Sequence, residues 1–409
     1  MWLVGLFSLS LLMSQTAMNI FATLLIFKIL WMGYRWHQQR SPHRIWNSTE
    51  VDWLFAVWFL IVVVGFAVQG FPGNYWYQKL SEFGWIFVFY SLITAFRQLE
   101  PDQAWVKFMA AAFFLCSLWA VIVWFLGFDP MRPGEPLQTL GDWGHRTGGF
   151  LFQPIVFAHL YQMPLAILLG LFLTMMRWRE KGVWLVGLAC AMGTVAIFLS
   201  FTRGVWISLT VATFVMLFLY SRRIAALAVV LGCVLFAGAY KFVPAVHERV
   251  NYGLHGGDAE RVWIWKANLE MFKDHPLLGI GYGENVFALD EYYKKMGAPT
   301  DVTPLREIHA HNQYIQMLSG TGVLGFLAYL GLMFYFLSLS YRVWKVIGSR
   351  EVFYQGLSLG LIGAQVGFLV GGLTEANFEH SKMRYTVAFV WALVVWLAYR
   401  FNILRESIR

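Results

Sequence analysis

The sequence predicts an all-α protein that crosses a membrane many times, and three observations carry that prediction. Hydrophobic residues fill 58% of the 409 positions and charged residues only 13%, against roughly 25% charged in a soluble domain. Apolar runs of about 18 residues, each long enough to cross a hydrocarbon core of about 30 Å as a helix, recur along most of the chain. Basic residues collect in alternate connections between those runs, as membrane orientation demands.

Taken in order, the expected spans cover 1–14, 17–35, 52–70, 80–97, 104–127, 155–177, 183–201, 205–221, 224–243, 320–341, 353–373 and 385–401, twelve in one transmembrane domain over 1–409. The first run begins at Met1 with no basic n-region and no small-residue cleavage site, so a removed signal peptide is not expected. Only Ser14, Gln15 and Thr16 separate the first two spans, which read either as a short hairpin or as one long tilted helix.

Arg35, Arg40 and Arg44, then Arg97 and Lys107, Arg177, Arg179 and Lys181, Arg222 and Arg223, Arg342, Lys345 and Arg350, and finally Arg405 and Arg409 mark the cytoplasmic connections. Connections 71–79, 128–154, 202–204, 244–319 and 374–384 then lie outside, and an even helix count places both termini in the cytoplasm. The formal charge of +8 is accounted for by this distribution, so nucleic-acid binding is not indicated. Cys116, Cys190 and Cys233 all fall in apolar runs and cannot staple an extramembrane loop.

Two outer segments are long. Residues 128–154 are rich in Gly and Pro and read as an irregular cap. In 244–319, Val262, Trp265, Leu269 and Phe272 repeat at helical spacing after Asp258, a fitting N-cap, and Pro276 is a stop. This predicts an amphipathic helix along the outer interface. A second short helix is expected over ENVFALDEYYKKM, and Pro304 opens a third that runs through His311 into the next span.

Within these segments, Arg203 breaks the charge pattern. It sits in FTRGVW at the outer ends of two spans, where a guanidinium at the edge of the apolar layer is costly unless an anion pairs with it. The other reading is an arginine snorkelling to lipid headgroups. Arg261, in DAERVWIW, occupies a first helical turn that disfavours positive charge, which points to another reason for its presence, although surface arginines are common.

In REIHAHNQYIQ, a helix would put Glu307 four residues before His311 on one face, where its carboxylate would orient the imidazole as a general base needs. The His309-x-His311 spacing also raises metal binding. On a helix, however, the rings diverge by about 200°, and no cysteine or carboxylate cluster completes a zinc set, so no metal or other cofactor is expected. The plainer alternative is a set of polar residues capping an interfacial helix. GIGYG at 279–283 lacks the strand–turn–helix context of a nucleotide loop and reads as a flexible turn. No Asp-x-Asp pair of the nucleotide-sugar transferase type occurs in an outer loop.

Together, SFTRGVW, then ERVWIWKANLEMFKDHPLLGIGYGENVF, then HAHNQYIQMLSGTGVLGFLAYL leading into a span resemble the O-antigen ligase and polymerase superfamily of bacterial envelope glycan enzymes. About twelve helices with a large outer loop late in the chain also match. The resemblance implies a GT-C-like, metal-independent glycosyltransferase of the bacterial inner membrane, working on the periplasmic face among membrane lipids. Its donor would be a glycan on undecaprenyl pyrophosphate and its acceptor a hydroxyl of the lipid A core. Arg203 and Arg261 match the superfamily's pyrophosphate-binding arginines, and His311, directly before Asn312, matches its proposed base. His309, Asn312 and Arg146 stand as candidate supports. A single displacement would invert the anomeric configuration.

Ligation, repeat-unit polymerisation and transfer to protein hydroxyls all occur in such a superfamily. The motif set favours ligation, and the short tail after the last span argues against the protein-directed branch. Outside this class, the competing reading is a lipid-linked glycan transporter. Transporters show repeated halves with polar groups near the midplane, whereas these candidates gather at one face.

Overall fold

The computed structural model describes residues 2–39, 51–71, 75–139, 144–177, 179, 182–254, 259–299, 308–348 and 351–404. Asp258, Pro304 and Glu307, together with Arg40, Arg44, Lys181, Arg350, Arg405 and Arg409 of the topology argument, lie outside them. The described chain is helical, and its only strand-like pairing is a bridge between Thr139 and His145. The helices are α1 (Trp2–Met13), α2 (Gln15–Gln39), α3 (Asp52–Val68), α4 (Tyr75–Ser81), α5 (Trp85–Leu99), α6 (Gln103–Leu126), α7 (Pro154–Arg177) and α8 (Val183–Phe198). They continue with α9 (Arg203–Tyr220), α10 (Arg222–Phe242), α11 (Pro244–Leu254), α12 (Ala259–Asp274), α13 (Asn285–Lys295), α14 (Gln313–Ile347), α15 (Val352–Gly371) and α16 (Ser381–Arg400).

Each expected span falls on a helix. Among the described residues, seven helices are long and apolar enough to cross a bilayer, namely α2, α6, α7, α9, α10, α14 and α15, while α1, α3 and α8 are apolar but shorter. With 12 residues, α1 is only about 18 Å long. The break at Ser14 separates it from α2, against which it packs, and the Ser14 hydroxyl accepts the Ala17 amide at 3.3 Å.

Packing is close where glycines permit it. α15 lies along α7 and α9, and a methyl on Gly360 would fall 2.5 Å from Ile167 Cα; such small residues let membrane helices approach. Opposite, α3, α5, α14 and α16 meet over an aromatic core in which Phe336 stacks on Trp391 at 4.1 Å.

The described residues of the 244–319 segment are folded rather than extended. Ile264, Ala267 and Met271 of α12 pack with Leu289, Tyr292 and Tyr293 of α13 and with Ala310 in a core of their own. This packed face is distinct from the stripe expected along the outer interface, of which Val262 and Leu269 stay exposed. GIGYG is not a flexible turn. The Ile280 and Gly281 amides donate to the Ser319 and Gly320 carbonyls at 3.0 and 3.1 Å, and a Cβ on Gly279, at φ 69°, would fall 2.4 Å from the Gly320 carbonyl carbon. Only glycine permits both that conformation and that approach. α14 itself breaks at Gly322 (φ 62°, ψ −170°), where the Val323 and Leu324 amides turn to the carbonyls of Pro276 and Leu277.

Candidate active site

The expected helix through His311 is not formed. Residues 308–310 are irregular, His311 has a φ of 47°, and α14 starts only at Gln313. Asn312 sets that start: its side-chain oxygen accepts the Tyr314 and Ile315 amides at 3.0 and 3.1 Å, an N-cap that leaves His311 outside the helix. The face-sharing argument for Glu307 fails with the helix, and Glu307 itself lies outside the described residues.

Glu375, in the connection after α15, stands where a carboxylate was sought. Its Oε2 lies 2.9 Å from His311 Nδ1, and its Oε1 lies 2.6 Å from His309 Nε2 while accepting the Ala376 amide at 3.1 Å. The His309 contact is an ion-pair approach rather than an aligned hydrogen bond. The two rings, expected to diverge, sit 4.5 Å apart.

Burial pushes the Glu375 carboxyl up, but the close approach and charge of the two imidazoles overcome it and hold the carboxyl well below the usual range. Burial would lower His309, and the Glu375 carboxylate outweighs it, leaving His309 above the ordinary 6.5. His380, edge-on to His309 at 5.6 Å, is dominated by burial and brought down to about 4.

His309, His311 and Glu375 offer three ligand atoms within 4.8 Å of one another, so the divergence argument against metal no longer applies. The contacts themselves are tighter than a metal shell. Ligand atoms on a tetrahedral zinc lie roughly 3.3 Å apart, whereas here imidazole and carboxylate meet at 2.6 and 2.9 Å.

Both candidate arginines come to the same segment. Arg261 Nη1 donates to the Thr374 carbonyl at 3.3 Å. Arg203 opens α9, and the next residue, Gly204, packs so tightly that a Cβ there would fall 2.0 Å from Thr374 Oγ1. The Gln313 amide at the start of α14 donates to the Gly372 carbonyl at 2.7 Å. The starts of α9 and α14 thus meet the end of α15, where Arg261 of α12 also reaches, and the amide dipoles of those two helix starts favour an anion there.

Arg146 plays a different part. Its guanidinium donates to the Ser200 carbonyl, Thr202 Oγ1 and Gln138 Oε1 at 2.9, 3.2 and 3.1 Å, bracing the turn that presents Arg203. The histidine strand is braced by a polar cluster that the sequence reading missed. Asn285 Nδ2 bonds Asn268 and Gln316 at 2.7 and 2.9 Å, Ser319 bonds Asn268 at 2.7 Å, and Gln316 Oε1 accepts the Ala310 amide at 2.9 Å. From α12, Trp265 Nε1 donates to the Ala310 carbonyl at 2.8 Å. The signal for this cluster was Asn268, an amide at a helical register otherwise occupied by Ile264, Ala267 and Met271.

No curated protein matches this chain in sequence. The family model described as O-antigen ligase matches residues 188–330, which include Arg203, Arg261, His309, His311 and Asn312 but stop short of Glu375. The match, together with several apolar helices long enough to cross a bilayer, supports a multi-pass membrane protein of the O-antigen ligase superfamily.

Proposed function

We propose that this protein is an O-antigen ligase, joining a glycan carried on undecaprenyl pyrophosphate to a sugar hydroxyl of the lipid A core. The observation that carries the reading is the imidazole of His311 held through Nδ1 by a buried carboxylate, beside Arg261 at the Thr374 carbonyl and the start of α9, which carries Arg203 and packs on Thr374. With its proton on Nδ1 donated to Glu375, the ring presents Nε2 as the basic nitrogen. That nitrogen takes the proton of the acceptor hydroxyl as its oxygen bonds to the anomeric carbon. The bond from that carbon to the pyrophosphate oxygen breaks, and the leaving group departs with the electron pair. Arg203 and Arg261 oppose the developing charge without a metal ion, and the configuration inverts.

In this reading the chain crosses the bacterial inner membrane twelve times in a GT-C-like arrangement, with both termini cytoplasmic and the site facing the periplasm. The deciding experiment is reconstitution with a lipid-linked glycan donor, offered either lipid A core or a second donor molecule. Joining to the core is expected. Elongation of the donor alone would assign polymerase activity instead, and passage across vesicles without joining would assign transport.

A further inference from the structure

A cleft of about 400 Å³ opens beside His380, between the α1–α2 break, the 128–154 cap and the first turn of α16. Arg132 and Lys382 bring positive charge to it, and Gln15, Thr16 and Ser381 bring hydrogen-bonding groups. Part of this lining is already set, because Gln15 Nε2 donates to Ser381 Oγ at 2.7 Å. Leu151 and Val156 give it an apolar side.

The two cations differ. Arg132 is matched, with Nη1 3.0 Å from Asp129 Oδ2 and Nη2 donating to the Phe150 carbonyl at 3.1 Å. Lys382 is 6% exposed, and among the described residues its ammonium meets neither a carboxylate nor another acceptor. The side chain is buried up to its ammonium at the cleft, where partial loss of water makes the charge costly until an anion joins it. Its surroundings, part hydroxyl and amide and part hydrocarbon, suit the headgroup of a glycolipid. The cleft is separate from Arg261 at Thr374 but adjoins the His309–Glu375 cluster through His380.

We infer that this cleft is a phosphate subsite for the acceptor glycolipid, with Lys382 as counter-charge to the phosphate and Gln15, Thr16 and Ser381 serving neighbouring sugar hydroxyls. Assigning the phosphate to the acceptor rests on the ligase reading. The test uses full-length protein in nanodiscs, with phosphorylated core glycolipid, the same glycolipid after phosphatase treatment, and phosphatidylglycerol as competitor. Wild type should bind the phosphorylated form about tenfold more tightly, as a charge-assisted contact warrants. Lys382→Met, which keeps the bulk and removes the charge at the cleft, should erase that preference without lowering the unfolding temperature, and Lys382→Arg should retain part of it.

In transfer assays the same loss should fall on the acceptor KM and spare the donor KM. Equal affinity of wild type for the two glycolipid forms, effective competition by phosphatidylglycerol, or a shift in donor KM would each overturn the assignment. Binding that depends on both phosphate and Lys382, in a protein that transfers nothing, would uphold the phosphate subsite and remove the ligase reading instead.

Discussion

Glu375 and Glu379 stand four residues apart in the same connection, both largely out of water and both held below the ordinary carboxylate range, yet their partners are of opposite kinds. Glu379 meets Lys79 at 2.9 Å, Lys79 also meets Glu82 at 3.4 Å, and Arg384 closes the group on Glu82 at 3.0 Å. Those cations carry charge at any physiological pH, so the group is a clamp tying α4 to the start of α16. Glu375 faces two imidazoles, groups that can both hold and accept a proton. One of those rings has a nitrogen to spare. Two similar buried acids therefore divide the work, one fixing the segment in place and the other holding a proton acceptor.

The comparison breaks most readily at the base. His311→Ala and Glu375→Ala should each lower transfer by about 10²–10⁴-fold while the protein stays folded. The double variant should lose little beyond either single one, because the pair acts as a unit. Multiplying losses in a transfer assay would show instead that the two residues act independently. Arg203→Ala should cost about 10²–10³-fold, as for other groups that stabilise developing charge, and Arg203→Lys should recover little because an ammonium lacks the bidentate fork. Full activity in the lysine variant would remove that argument.

Glu379→Ala should act the other way, lowering stability by about 3–5 kcal/mol in denaturant titrations while activity per folded molecule changes far less than for Glu375→Ala. A smaller effect sharpens the contrast through pH. The raised pKa of His309 contributes stability that is full below 6.5 and lost as pH climbs through the folded value. The lowered pKa of Glu375 contributes stability that is full above 4.5 and lost as pH falls. The stability gap between wild type and His309→Ala should thus be widest between 4.5 and 6.5. A gap independent of pH would mean that the pair does not titrate as described. Smallest of all, a chelator should leave transfer unchanged, and a loss restored by a divalent ion would turn the His309, His311 and Glu375 group into a metal site.

Much of this was legible in the sequence. Hydropathy placed a helix at each expected span, Arg203 stood out as a charge at the edge of the apolar layer, Arg261 as a positive charge in a first helical turn, and His311 as an imidazole in the polar outer segment. Glu375 did not stand out. It lies 64 residues from His311, and no periodicity links an acid in a short connection to a histidine that far away. The helix expected through His311 also supplied a nearer carboxylate, in Glu307, and so hid the need for a distant one. Asn312 was the readable correction, being a favoured N-cap residue in a stretch first taken as helix interior. Lys382 and Arg384, charges inside the first turn of a span, were the other unused signal.

The staple between 276–283 and the break in α14 also sets how the large outer segment can change. A long excursion tied down at its midpoint behaves as two shorter loops, each closing against its own anchors. Lengthening a flexible loop costs only about 0.6 kcal/mol per doubling. Each arm can therefore accept insertions or altered sequence on its own account, while the fastened middle keeps the histidine strand in register. Variation in one arm is insulated from the other.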